Sequence, residues 1–252
     1  MLGLLLVGLE AGFSKILPVY LTSAILVVAL VVATRGLHLD GFMDVCDGLF
    51  GSYTKERRLE IMRDPHVGAF AVAGAICIVL LKWTAILSLL SLPASGKDLP
   101  WKGLGLLLFP TLSRWAMVLQ LSAFPYARLQ GLGLAFHNGP YLLATLVAAV
   151  IALAAALLLG GIGGVVLFTG VTALAWLLGK GMAALLGGLT GDTYGATNEV
   201  SEVVTLGTTV ALMPHGLITP LFTLNIGPGL LEDQLVQKAG LLLAAEKLLG
   251  GS

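Results

Sequence analysis

Charge is scarce in this chain. Of its 252 residues only 11% are Asp, Glu, Lys or Arg, while 57% are hydrophobic and the mean hydropathy is +0.96. Soluble domains carry about a quarter charged residues, so the composition excludes a protein whose main solvent is water. Charge of one sign is lacking too: 14 basic and 14 acidic residues sum to zero, leaving no basic stripe for nucleic acid. Cysteine is nearly absent. Cys46 and Cys77 stand 31 residues apart without metal-ligand spacing, and read as small apolar packing residues. The first residues show neither the basic start nor the cleavage site of a secretory leader. No internal repeat, low-complexity linker, or Ser–His or Cys–His arrangement stands out.

Long apolar runs fill the rest. Residues 17–34, 67–92, 103–121, 141–159, 165–186 and 203–224 each approach or exceed the roughly 20 residues needed to cross a hydrocarbon core. Lipid offers no partners to open backbone groups, so such spans are helical. The expected fold is all-α: a polytopic transmembrane helix bundle of about six or seven helices, with residues 1–252 forming one integral membrane domain in the lipid bilayer. Residues 1–13 are expected to be a short helix, part of a longer element or interfacial; residues 227–252, after a Gly-Pro-Gly break, an amphipathic one. The segment 35–66 holds Arg35, Lys55, Arg57, Arg58 and Arg63, the densest basic cluster, which the positive-inside rule assigns to the cytoplasm. Counting spans from there puts 122–140 and 187–202 on the same face and 93–102 and 160–164 on the other, with Lys97 and Lys102 dissenting.

Against this background the stretch LHLDGFMDVCDGLFGSYTKERRLEIMRDPHVGA is anomalous, holding Asp40, Asp44, Asp47, Glu56, Glu60 and Asp64. Asp40, Asp44 and Asp47 follow i, i+4, i+7 spacing, one face of a helix. Three anions that close repel one another, more so beside a low-dielectric bilayer. No Lys or Arg occurs between Arg35 and Lys55, so a bound cation is the simplest remedy. Carboxylate oxygens suit Mg²⁺, Mn²⁺ or Ca²⁺. The plainer reading is a solvated helix end, or acids neutralised by Arg63 or Arg114.

A second polar island, GGLTGDTYGATNEVSE, offers Asp192, Asn198, Glu199 and Glu202. Its glycines suit a loop opening into a helix, whose N-terminus welcomes an anion; a helix cap with a polar loop explains it equally. A third segment, FPYARLQGLGLAFHNGP, brings Arg128 and His137. Arg114 lies inside an apolar run, where an arginine usually answers to a partner, here phosphate or the aspartates. Lys55, Arg57 and Arg58 read as interfacial anchors, and Arg63 beside Asp64 as part of a site. His38, His66 and His137 read as local hydrogen-bonders, and His215, mid-span beside Pro214, as a cap on opened carbonyls. Acids, arginine and glycine at a membrane favour metal-assisted phosphoryl transfer.

The long acidic motif from Gly36 to Phe70, with GGLTGDTYGATNEVSE, PYARLQGLGLAF and Arg114, resembles the cobalamin synthase (adenosylcobinamide-GDP ribazoletransferase) family over most of residues 35–202. The resemblance implies a Mg²⁺-dependent enzyme of the cell inner membrane, its motif loops cytoplasmic. Its substrates would be a corrinoid nucleotide, adenosylcobinamide-GDP, and α-ribazole or its 5′-phosphate; GMP would leave. Carried over by position, Asp40, Asp44 and Asp47 are expected metal ligands, and Asp44, Asp47 and Asp64 catalytic. Arg63, Arg114, Arg128, Asp192, Asn198 and Glu199 are expected to bind substrate. A homo-oligomer is compatible with this reading. Family members usually begin with a longer region bearing F-x-T-R-(I/L)-P, whereas this chain opens at MLGLLLVGLEA and has a longer tail. Two rivals are a CDP-alcohol phosphotransferase, disfavoured because that family's motif is more widely spaced and has an Ala-Arg pair after Asp-Gly-x-x, where this chain has Asp44-Val45, and a cation-coupled transporter, disfavoured by the missing repeat.

Overall fold

The computed structural model describes residues 1–92, 101–127 and 142–221. Among them are eight α-helices: α1 (Leu2–Phe13), α2 (Val19–Ala33), α3 (Leu37–Gly51), α4 (Lys55–Ile61), α5 (Ala69–Ser91), α6 (Trp101–Ala123), α7 (Leu142–Leu186) and α8 (Gly191–Leu212). By length and hydropathy α5, α6 and α7 can cross a membrane, and α2 with α3 makes a fourth span if the bent pair is counted as one. The chain is an all-α membrane protein.

The expected span 17–34 is corrected in kind. Helix α2 has only 15 residues, about 22 Å of rise, too short to cross alone. Arg35 and Gly36 then adopt φ of 54° and 72°, and the chain turns 86° into α3. The left-handed pair breaks the helix and lays the acidic motif across the bundle end.

Helix α7 holds both spans expected at 141–159 and 165–186. Its hinge is Gly161, at φ 58° and ψ −141°. In a straight helix Ala156 and Gly164 would stand about 12 Å apart, yet the Ala156 carbonyl abuts Gly164. The chain therefore doubles back, giving arms of 19 and 25 residues (142–160 and 162–186), roughly 28 and 37 Å long. The Thr219 and Leu221 amides donate to the Gly160 and Leu158 carbonyls, fastening the end of the described chain to this hairpin.

The last expected span, 203–224, is also corrected. Helix α8 starts at Gly191, takes in the second polar island from that residue onward and ends at Leu212. Thr190 and Thr193 cap its start reciprocally, each side-chain oxygen accepting the other's amide. Thr193, Thr197, Asn198, Glu199, Ser201, Glu202 and Thr205 are all buried. The most polar long helix thus runs through the middle of the bundle, packed by α3, α5, α6 and α7. His215 lies past its end, exposed in a 3₁₀ turn (Met213–His215), so it is not mid-span. Helix α1 packs on α6, with Leu6 buried and Gly3 against the Leu106–Leu107 backbone.

Leu26, Leu30, Ile86, Leu89, Leu106, Phe109 and Leu112 dominate the main apolar core. A smaller one, including Val45, Met62, Leu186, Leu189 and Tyr194, lies under the acidic motif. Val72, Ile76 and Leu80 on α5 and Leu146, Val150 and Leu157 on α7 stay exposed, as a lipid-facing belt requires. The expected tail helix (227–252) lies outside the described residues.

Candidate active site

Helix α3 carries Asp40, Asp44 and Asp47 as its spacing predicts, graded from exposed through half-buried to buried. All three line one pocket of about 220 Å³ with Arg63, Asp64, His66, Met43 and Met62. Within it the acids face different partners. Asp47 accepts the Gly68 amide at 2.7 Å on Oδ2 and the Ala71 amide at 2.8 Å on Oδ1. Gly68 is the N-cap of α5 and has no side chain to offer, so Asp47 reaches across from α3 and caps that helix in its place. Asp64 turns to His66, accepting its backbone amide at 2.9 Å with Nδ1 at 2.6 Å. The amide and the imidazole hold this exposed carboxyl below the usual carboxylate range. Among the described residues no three His, Cys, Asp or Glu side chains are arranged to hold a metal ion.

The two polar islands meet. A Cβ built on Gly41 of α3 would lie 2.8 Å from the Asp192 Cα, and one on Gly195 of α8 would lie 2.9 Å from the His38 carbonyl oxygen. Only glycine allows the two backbones this close. Asp192, in the first turn of α8, accepts from Thr190 Oγ1 at 3.2 Å. The third segment reaches the same end of the bundle: Ala127 donates to the Leu189 carbonyl and Leu189 to that of Pro125, at 2.7 and 2.8 Å. Arg58 donates to the Leu185 carbonyl at 3.4 Å. Arg128 and His137 lie outside the described residues.

Deeper in the bundle is an ionic cluster that the sequence reading missed in part. Lys82, mid-helix in α5 and 3% exposed, meets Glu199 at 2.6 Å and Glu202 at 2.7 Å. Glu202 accepts from Arg114 Nη1 at 2.7 Å, which also donates to Ser113 Oγ and to Asn198 Oδ1. The partner of Arg114 within the fold is therefore α8, not the α3 aspartates. Asn198 Nδ2 donates to Glu202 Oε1 at 3.2 Å. His38, Thr34, Lys82, Glu199 and Glu202 border a void of about 10 Å³, and His38 Nδ1 is buried there without a partner. The signal for Lys82 was present: an ionisable residue inside the apolar run LLKWTA demands a counter-ion. Of the expected substrate-binding residues, Arg63 and Asp192 flank the acidic motif, whereas Arg114, Asn198 and Glu199 belong to this inner cluster.

Comparison with known proteins points one way. The family described as cobalamin-5-phosphate synthase matches residues 1–210. The chain is 39% identical over 220 residues to the adenosylcobinamide-GDP ribazoletransferase of Desulfitobacterium hafniense, covering 82% of each chain. It is 40% identical over 200 residues to that of Roseiflexus sp., 78% of this chain and 70% of the relative. It is 39% identical over 216 residues to that of Pseudomonas savastanoi, covering 84% and 83%. No solved structure matches.

Proposed function

Since the chain belongs to the cobalamin-5-phosphate synthase family, a transferase family of cobalamin synthesis, we propose that it joins adenosylcobinamide-GDP to α-ribazole, or to its 5′-phosphate, and releases GMP. The observation that carries this reading is the Gly41–Asp192 contact, which packs the N-terminus of α8 on the same helix whose acidic face lines the pocket with Arg63 and Asp64. An acidic pocket, a cation and a helix N-terminus are what a pyrophosphate-linked substrate and its charge-balancing ion need.

The donors in the pocket are carboxylate oxygens, the set a hard divalent ion takes. Asp40 and Asp44, one helical turn apart, would hold Mg²⁺, with Asp47 keeping a lone pair on each oxygen beyond its backbone bonds. Bound there, the ion would neutralise the pyrophosphate. Arg63 steadies the same phosphates from the pocket wall, and Arg114 and Arg128 are further phosphate partners. Asp192 orients the ribazole hydroxyls, while Asn198 and Glu199 back the site by fixing Arg114 and Lys82. The 5′-hydroxyl of ribazole attacks the phosphorus that bears the corrinoid; the new P–O bond forms as the bridging P–O bond to GMP breaks. Asp64, charged at neutral pH and exposed over the pocket, takes the hydroxyl proton. The motif loops face the cytoplasm across the inner membrane, where both substrates are water-borne.

The test is GMP release by the purified protein in detergent from adenosylcobinamide-GDP and α-ribazole, with and without Mg²⁺. Release that needs both substrates and the ion is expected. A folded protein that releases none overturns the assignment.

A further inference from the structure

Lys82 lies outside all three polar segments, yet it is the most deeply buried cation among the described residues. Its charge completes a balance. Lys82 and Arg114 contribute two positive charges, Glu199 and Glu202 two negative ones, and each glutamate has Lys82 within 2.7 Å. Every hydrogen bond of the Arg114 guanidinium to the described residues leaves from Nη1, to Ser113, Asn198 and Glu202. The Nη2 and Nε donors remain, on a side chain 31% exposed while its partner Glu202 is 2% exposed. The two donors on Nη1 of this planar five-donor fork are thus anchored, and the three on Nη2 and Nε make no hydrogen bond to the described residues.

We propose that Lys82 is a positioning residue: by neutralising Glu199 and Glu202 from the α5 side, it keeps the free edge of Arg114 available for a phosphate of the nucleotide substrate. The inference rests on the transferase reading only for the identity of that phosphate. Without Lys82, two buried glutamates would face one guanidinium. The low dielectric would then draw both of them onto Arg114, and the edge that meets phosphate would be spent inside the protein. Removing one glutamate charge at the same time restores the pairing of Arg114 with Glu202 alone.

The experiment compares full-length wild type, Lys82→Met and the double variant Lys82→Met with Glu199→Gln. GDP affinity by calorimetry, KM for the corrinoid nucleotide, KM for α-ribazole and the melting temperature in detergent are read for each. Lys82→Met is expected to weaken GDP and raise the corrinoid-nucleotide KM at least about tenfold, the worth of one charge-assisted hydrogen bond, with the α-ribazole KM unmoved. The double variant is expected to recover both values to within about threefold of wild type. Should Lys82→Met fail to fold, the double variant carries the test: wild-type-like GDP affinity supports the proposal. The proposal is overturned if folded Lys82→Met binds GDP as wild type does, or if the double variant melts normally while GDP binding stays weak. If wild type binds GDP with this pattern but releases no GMP, the transferase reading fails and the positioning role stands.

Discussion

Asp44 and Asp47 are one turn apart on α3, yet the fold asks different things of them. Asp47 takes two amides at the start of α5, so Asp47→Ala strands one buried donor, at Ala71, and one half-buried donor, at Gly68. A loss of about 1–3 kcal/mol is expected, seen as a melting temperature in detergent lower by several degrees. Asp44 is half-buried and lines the pocket. Asp44→Asn keeps its size and is expected to melt like wild type while GMP release falls at least about a hundredfold. Equal melting losses for both variants would contradict this division. Both side chains were visible in the spacing of the motif. That one caps a helix was not, because its partners, Gly68 and Ala71, are more than 20 positions away.

Among the elements, α8 is the one the composition misrepresents. Its Thr, Asn and Glu residues read as an exposed loop before an apolar span, because in isolation such residues prefer water. Inside the bundle they find one another and Lys82, Ser113, Arg114 and Gln120, whose Oε1 accepts from Thr197 Oγ1 at 2.9 Å. The seam between α8 and α3 depends on two glycines. Gly41→Val would drive a side chain into the Asp192 backbone and is expected to lower both melting temperature and GMP release. Gly207→Ala, on the same helix as Asp192 with open space around it, is the control: turnover unchanged and melting equal or higher, since alanine favours helix by about 1 kcal/mol. A Gly41→Val protein that melts and turns over normally would mean that the seam is not required.

At the scale of the whole molecule, the Gly161 hairpin sets the topology. It sends the second arm of α7 back to the end where α6 finishes, so the 187–190 turn meets the 125–127 strand-like stretch and the α3–α4 region. Tyr53 and Ile162, 97% and 82% exposed, mark the two ends. With Cys46 and Cys77 replaced by alanine, Tyr53→Cys is expected to react with an impermeant maleimide only in inverted vesicles, and Ile162→Cys only in right-side-out ones. Labelling of both from one side would refute the hairpin as a pair of membrane passes.

The sequence by itself determined the solvent, the helical class and the helix face that carries Asp40, Asp44 and Asp47, because hydropathy and i, i+4 spacing are local quantities. It also located both acidic islands, since ionisable residues in an apolar chain stand out wherever they end up. Tertiary structure alone decided that Gly41 meets Asp192, that Asp47 caps α5, and that Arg114 answers to Glu202 and shares it with Lys82. Those pairings join residues 21 to 151 positions apart. Backbone close approach and charge neutralisation in a low dielectric select them, and neither acts until the helices are side by side.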